Sequence, residues 1–168
     1  NSGLTGLNGV LDIANRMITM VSGGYMTQYE YQPAVAGYYD GVTYCHKQLI
    51  NACTPWNGYY TLDSGYYMNL HFSQFMDKGW SFIFDACYGD AKVGGDGHAL
   101  VDAKYSYITA CSAEGDYSTI ITNTTSEPIT YNFEVSNLAK AGNEVYVWET
   151  RGPDSNQKYD ANYFKKIA

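Results

Sequence analysis

Between Tyr38 and Trp80 the chain reads YYDGVTYCHKQLINACTPWNGYYTLDSGYYMNLHFSQFMDKGW, a stretch dense in aromatic rings and hydrogen-bonding side chains and broken by turn residues. That mixture suits a carbohydrate. A pyranose offers an apolar C–H face on which Tyr or Trp stacks and a rim of hydroxyls for Asn, Asp, Gln and His. Cleaving a glycosidic bond with retention needs two carboxyl groups, one nucleophile and one acid then base, on opposite sides of the anomeric carbon. The acids in suitable loops are Glu30, Asp40 and Asp63, and Glu30 is the best placed because it sits at the mouth of a predicted strand. One carboxylate without a placed partner nevertheless reads as a hydrogen-bonding or cap residue. His71 falls on the packing face of a predicted helix, where histidine is more often a structural partner than a catalyst, with a direct substrate contact as the alternative. Cys45-His46 has no identifiable orienting acid for a nucleophilic pair.

Other chemistries find less support. Gly89 to Gly97, GDAKVGGDG, lacks a following helix and the Lys-Ser/Thr ending of a phosphate loop, so it reads as a hairpin turn. Asp90 and Asp96 do not match the spacing of a calcium loop, and His98 beside them reads as a strand residue. Cys45, Cys53, Cys87 and Cys111 show neither C-x-x-C pairing nor a nearby histidine cluster, so no metal site and no cofactor are expected. Disulfides and free thiols both remain open for these four cysteines. Asn123-Thr124-Thr125 is a glycan acceptor triplet in a predicted strand-to-turn segment, with an unmodified strand end as the alternative.

The 168 residues carry a formal charge of −7 and a pI near 4.7, which opposes binding to a phosphate backbone and excludes nucleic acid as the expected partner. An apolar fraction of 45% is enough for a packed core. No run of about 18 apolar residues is present, so no transmembrane segment is expected. The N-terminus lacks a basic start and an apolar signal core, as an excised portion of a longer chain would.

Several elements must position these residues. Leu4, Leu7, Leu11, Ala14, Ile18 and Val21 recur at helical spacing, with Ser2 or Thr5 as N-cap and Gly23-Gly24 as the stop. Tyr25 to Val35 alternates large and polar residues and predicts a short strand. A second helix is predicted over Ser64 to Met76, capped by Asp63 or Ser64 and ended near Gly79. After Trp80 the period becomes alternating. Strands are expected at Trp80 to Tyr88, His98 to Cys111, Asp116 to Thr124, Ile129 to Val135 and Glu144 to Glu149. The composition shift sets a boundary between residues 1–79, an α/β portion, and residues 80–168, an all-β portion.

The ordered series TPWNGYY, LDSGYYM and HFSQFMDKGW resembles glycoside hydrolase family 59, the galactocerebrosidase-like β-galactosidases, and the resemblance runs along nearly the whole chain. It implies the last βα units of a TIM barrel followed by an antiparallel β-sandwich, itself incomplete here. Leu4 to Val21 would be the seventh barrel helix, Tyr25 to Gln32 the eighth strand, and Ser64 to Met76 part of the eighth helix. The resemblance also implies that both catalytic glutamates lie upstream, so this chain alone is expected to be inactive. Loops after barrel strands form the active face, which would turn Tyr29, Glu30, Tyr31 and Gln32 toward a sugar or glycolipid. Gln32 stands where the family places a sugar-contacting Trp, and Tyr29 or Tyr31 would supply the aromatic face. Trp56 would wall the cleft or anchor loop packing. The family's sandwich arginine has no counterpart around Glu127 to Tyr131, so Arg151 would replace it only if its loop folds back. The resemblance further implies hydrolysis of terminal β-galactosyl linkages, partnership with the rest of the same enzyme, and secretion, with the lysosome as the alternative. A noncatalytic carbohydrate-binding module, or a β-1,6-galactan or glucan hydrolase of another barrel family, would use the same aromatic loops.

Overall fold

The computed structural model describes residues 6–37, 48–52, 54, 56–89, 92–93, 100–101, 104–134, 136, 144–152 and 162–168. The predicted first helix is α1, Leu7–Gly24, and its N-terminus is held from across the fold. Gly6 takes the cap position with φ 98°, and Ser64 Oγ accepts from the Gly6 N–H at 3.1 Å and donates to its carbonyl at 3.3 Å. The proposed caps Ser2 and Thr5 lie outside the described residues. The C-terminus departs from expectation. Gly23 and Gly24 stay helical, and Tyr25 adopts the left-handed conformation, φ 53° and ψ 30°. Its N–H reaches the Val21 carbonyl and the Met26 N–H reaches that of Met20, each at 3.1 Å, so two carbonyls of the last turns are satisfied at the helix end. Tilted packing of the Tyr25 ring against Phe84, with centroids 5.0 Å apart, works against the cost of about 1–2 kcal/mol that a side chain meets there.

This turn also displaces the next element. Tyr25 to Gln32 forms no strand, and the ladder begins only at β1, Val35–Gly37, because Tyr25 has left the extended region and Pro33 has no N–H to give. β1 pairs in parallel with β2, Ile50–Ala52, which pairs antiparallel with β3, Thr61–Leu62. Helix α2, Ser64–Ser73, follows at once and stops before the predicted Met76. Asp63 occupies its N-cap without a side-chain cap bond, because its carboxylate accepts from the buried Gln48 amide at 3.1 Å instead.

The predicted strand Trp80 to Tyr88 is divided into β4, Ser81–Phe82, a 3-10 turn, Phe84–Ala86, and β5, Tyr88–Gly89. Both strands pair with the same edge of β8, Tyr105–Cys111. The chain takes six residues from Phe82 to Tyr88 where β8 takes three from Ala110 to Tyr107, so the excess is looped out as the turn. Antiparallel β6, Lys92–Val93, and β7, Leu100–Val101, flank the glycine-rich segment in the manner of a hairpin. Asp90, Asp96 and His98 are outside the described residues. β8 and β9, Tyr117–Asn123, form the longest ladder, joined by a turn in which Ser112 Oγ accepts from the N–H groups of Glu114 and Asp116. Ile129 to Glu134 forms no strand. Of the expected strand at Glu144 to Glu149, only β10, Trp148–Glu149, pairs, and its partner is β11, Lys165–Lys166, which the sequence pattern had not marked.

Alternation along β8 turns Ser106, Ile108 and Ala110 toward α1 and leaves Tyr105, Tyr107 and Thr109 half-buried on the other face. Ile18 joins Ile108 and Ile120 in one core cluster, bordered by Val21, Phe72, Met76, Phe82 and Cys87. Val10, Ala14 and Met17 form a second cluster with Met68 of α2. Among the described residues the architecture is therefore mixed: two α-helices, a small mixed sheet, a larger antiparallel sheet and two short antiparallel pairs, with α1 packed on α2 along one side and on β5, β8 and β9 along another. No helix among the described residues is long and apolar enough to cross a membrane.

Candidate functional site

The segment Tyr29 to Gln32 leaves α1 through the Tyr25 turn and enters β1 just beyond Pro33. Glu30 and Gln32 are exposed, Tyr31 is half-buried, and Tyr29 lies at the surface. Gln28 Nε2 donates to Glu30 Oε1 at 2.6 Å, so that carboxylate is held by a neighbour two residues away. Burial pushes the Tyr29 phenol up, while the positive charge of Arg16 pulls it the other way. Burial, reinforced by Tyr29, raises the Tyr31 phenol to about 12. Both rings are thus neutral phenols at physiological pH, each able to donate and accept.

Arg16 is the residue that sequence reasoning missed. It pairs with Asp12 one helical turn earlier at 3.1 Å, and the i, i+4 spacing of opposite charges on α1 was the available signal. The helix therefore presents a cation beside the aromatic segment.

The other proposed contacts lie elsewhere. Trp56 is 75% exposed on a turn closed by the Asn57 N–H to Thr54 carbonyl bond at 3.0 Å. Tyr29 to Gln32 precede β1 and Trp56 precedes β3, and β1 and β3 run in opposite directions, so the two groups flank opposite ends of the small sheet. His71 is half-buried between α2 and the C-terminal strands. Its Nε2 lies 2.7 Å from Thr150 Oγ1, its ring meets Phe164 edge-on at 5.1 Å, and burial lowers its pKa. These contacts are those of a docking residue. Arg151 bonds Glu149 at 3.0 Å and follows β10, whose Trp148 packs, as Phe164 does, against Phe75 just beyond the end of α2.

Asn123 spends its amide locally. Its Oδ1 accepts from the Thr125 N–H and hydroxyl at 2.9 and 2.7 Å, and its Nδ2 donates to the Glu127 carbonyl at 2.9 Å. Cys87 and Cys111 are free thiols, with Cys87 raised by burial. Asp40, Cys45, His46 and Cys53 lie outside the described residues, and so does much of the aromatic stretch before Gln48.

An aromatic and hydroxyl-rich surface of this kind fits a protein that handles sugars, and the comparisons with known proteins bear directly on that class. Residues 1–74 match Glycosyl hydrolase family 59. Galactocerebrosidases of Homo sapiens and Macaca mulatta are each 34% identical over 79 residues, 47% of this chain and 11% of theirs. That of Salmo salar is 28% identical over 142 residues, 80% of this chain and 20% of its own, so the likeness continues past α2 into the antiparallel sheet. The chain spans between a tenth and a fifth of these relatives' length. No solved structure matches it. Over residues 1–74 the chain is thus similar to the glycoside hydrolases of family 59. Among them its likeness is to the galactocerebrosidases.

Proposed function

We propose that this chain is the substrate-binding portion of a retaining exo-glycosidase that acts on terminal β-galactosyl groups, with Tyr29, Glu30, Tyr31 and Gln32 holding the sugar. The observation that carries the reading is the family 59 match across the segment that displays these residues beside Arg16. Two neutral phenols offer ring faces and hydroxyl partners, and Glu30 and Gln32 accept and donate at the rim. The nucleophile and the acid/base belong to the remainder of the same enzyme, a partner portion that completes a β/α barrel around residues 1–79 and a sandwich around residues 80–168. Glu30 acts as a hydrogen-bond acceptor in this arrangement. Galactocerebrosidase relatives make a galactosyl lipid the natural substrate class, and secretion or the lysosome the natural setting.

The test is the intact mass of the native polypeptide with partner chains retained, joined to an assay on a chromogenic β-galactoside. A species larger than 18.7 kDa that hydrolyses the galactoside agrees with the proposal. A stable species of 18.7 kDa that binds galactosides without cleaving them refutes it in favour of a noncatalytic binding module.

A further inference from the structure

The turn before β3 displays aromatic surface that the Tyr29 to Gln32 segment does not use. Trp56, Tyr59 and Tyr60 are 75%, 60% and 62% exposed, a dense cluster of solvent-facing rings within five residues. A flexible loop would lose much of any stacking energy to ordering, but this one is braced. Asn57 N–H bonds the Thr54 carbonyl at 3.0 Å, Asn57 Oδ1 accepts from the Tyr59 N–H at 2.8 Å, and Gly58 supplies φ 75° at the bend. Thr61 then enters the ladder opposite Asn51, so the turn runs directly into a strand.

The chemistry of the turn selects its ligand. Residues 54 to 62 contain no charged side chain and only two aliphatic ones, Pro55 and Leu62. A phosphate or an acidic peptide would find no cation there, and a purely apolar partner would strand the phenol hydroxyls and the Asn57 amide. A neutral ring with one apolar face and a hydroxyl rim meets both requirements. The turn also lies within the segment shared with sugar-cleaving relatives.

We propose that the Trp56–Tyr60 turn is a second carbohydrate-binding surface that stacks a neutral pyranose on Trp56, with Tyr59 and Tyr60 beside it, at the end of the small sheet away from Tyr29 to Gln32. It goes beyond the function proposed above and does not depend on it. Such a surface would hold one sugar of a substrate aggregate or glycan while another occupies the cleaving site, which raises effective concentration without adding contacts at the reacting bond.

The experiment is calorimetric titration of the intact native polypeptide with methyl 1-thio-β-galactoside, whose sulfur link resists cleavage. Two binding events are expected. Trp56→Ala and the double variant Tyr59→Ala/Tyr60→Ala should weaken one of them by about two- to tenfold per ring lost, the range set by aromatic pair energies. Trp56→Phe should restore part of the loss, and the high exposure of these rings leaves folding, checked by circular dichroism, unchanged. Gln32→Ala should weaken only the other event. If Trp56→Ala binds as the parent does, or the parent binds no galactoside, the second surface is refuted. If Trp56→Ala removes one event while Gln32→Ala removes none, this surface stands and the Tyr29 to Gln32 site falls.

Discussion

Gly89 closes the contact between α1 and the antiparallel sheet, and replacing it by alanine is the most direct challenge to that packing. A Cβ at Gly89 would lie 2.5 Å from Thr19 Oγ1, 2.7 Å from Thr19 Cα and 2.9 Å from Ser22 Oγ. A hydroxyl can rotate away, but a helix backbone atom cannot. The variant must therefore lift α1 from β5 by several tenths of an ångström, which disturbs the Ile18, Ile108 and Ile120 cluster beneath the same helix. Overpacking of this type costs about 1–3 kcal/mol, equivalent to a fall of about 2–4 °C in Tm per kcal/mol for a chain of this size. Gly23→Ala is the internal control. It adds the same methyl group to an exposed helical position with nothing within 4 Å, and should stabilise by about 0.5–1 kcal/mol through reduced backbone entropy. Urea unfolding followed by circular dichroism would report both. Gly89→Ala within about 0.5 kcal/mol of the parent, the range of an indifferent surface change, would refute the close packing of α1 on β5.

Three further outcomes follow from buried polar contacts. Asn15, 1% exposed, accepts from the hydroxyls of Ser106 and Thr122, so Asn15→Leu should cost about 1–3 kcal/mol and the triple variant with Ser106→Ala and Thr122→Val should regain most of it in urea melts. Because burial lowers the His71 pKa below its unfolded value of 6.5, the unfolded chain binds the proton more tightly. Stability should therefore be full above that value and be lost as pH falls through the depressed folded pKa, a slope that His71→Gln should flatten in melts across pH 4–7. Tyr131→Phe removes a 3.0 Å bond to the Thr122 carbonyl and should lower stability by about 0.5–1.5 kcal/mol; an unchanged urea midpoint would show that the bond contributes nothing.

Much of this fold is written in local patterns. The spacing of Val10, Ala14, Met17, Ile18 and Val21 marks α1, and alternation through Ser106, Ile108 and Ala110 marks β8, because both periods reflect a single buried face. The exceptions have nonlocal causes. Two glycines at the end of α1 signal a stop, yet the left-handed position falls to Tyr25 because Phe84, far along the chain, offers its ring a partner. Trp80 to Tyr88 alternates like one strand, but pairing at both ends with β8 forces three residues out as a 3-10 turn. Asp63 has the right type and place for a cap, and Gln48 claims its carboxylate first. At the candidate site the residue types were legible at Tyr29, Tyr31 and Trp56. Their separation was not, since the opposed directions of β1 and β3 depend on a pairing between distant segments. His71 looks available in sequence and is drawn into the docking of the C-terminal segment, and Arg151 pairs with its near neighbour Glu149.

Each side of α1 has a separate partner, and the side bearing Asp12 and Arg16 connects fold to site. Arg16 is anchored by Asp12, its positive charge acts on Tyr29, and Tyr29 in turn raises Tyr31. This chain of contacts makes a prediction that no independent set of side chains would meet. Arg16→Met removes a charge that favours the phenolate, so the Tyr29 midpoint should rise further. Tyr29→Phe removes the neighbour whose ionisation opposes that of Tyr31, so the Tyr31 midpoint should fall below about 12 while staying above the ordinary phenol value, because burial is the larger cause. Carbon-13 labelling at the tyrosine ζ position would follow both rings by NMR titration. A Tyr31 midpoint that does not move in Tyr29→Phe would break the connection. A midpoint that falls would show that Tyr29 and Tyr31 share one neighbourhood.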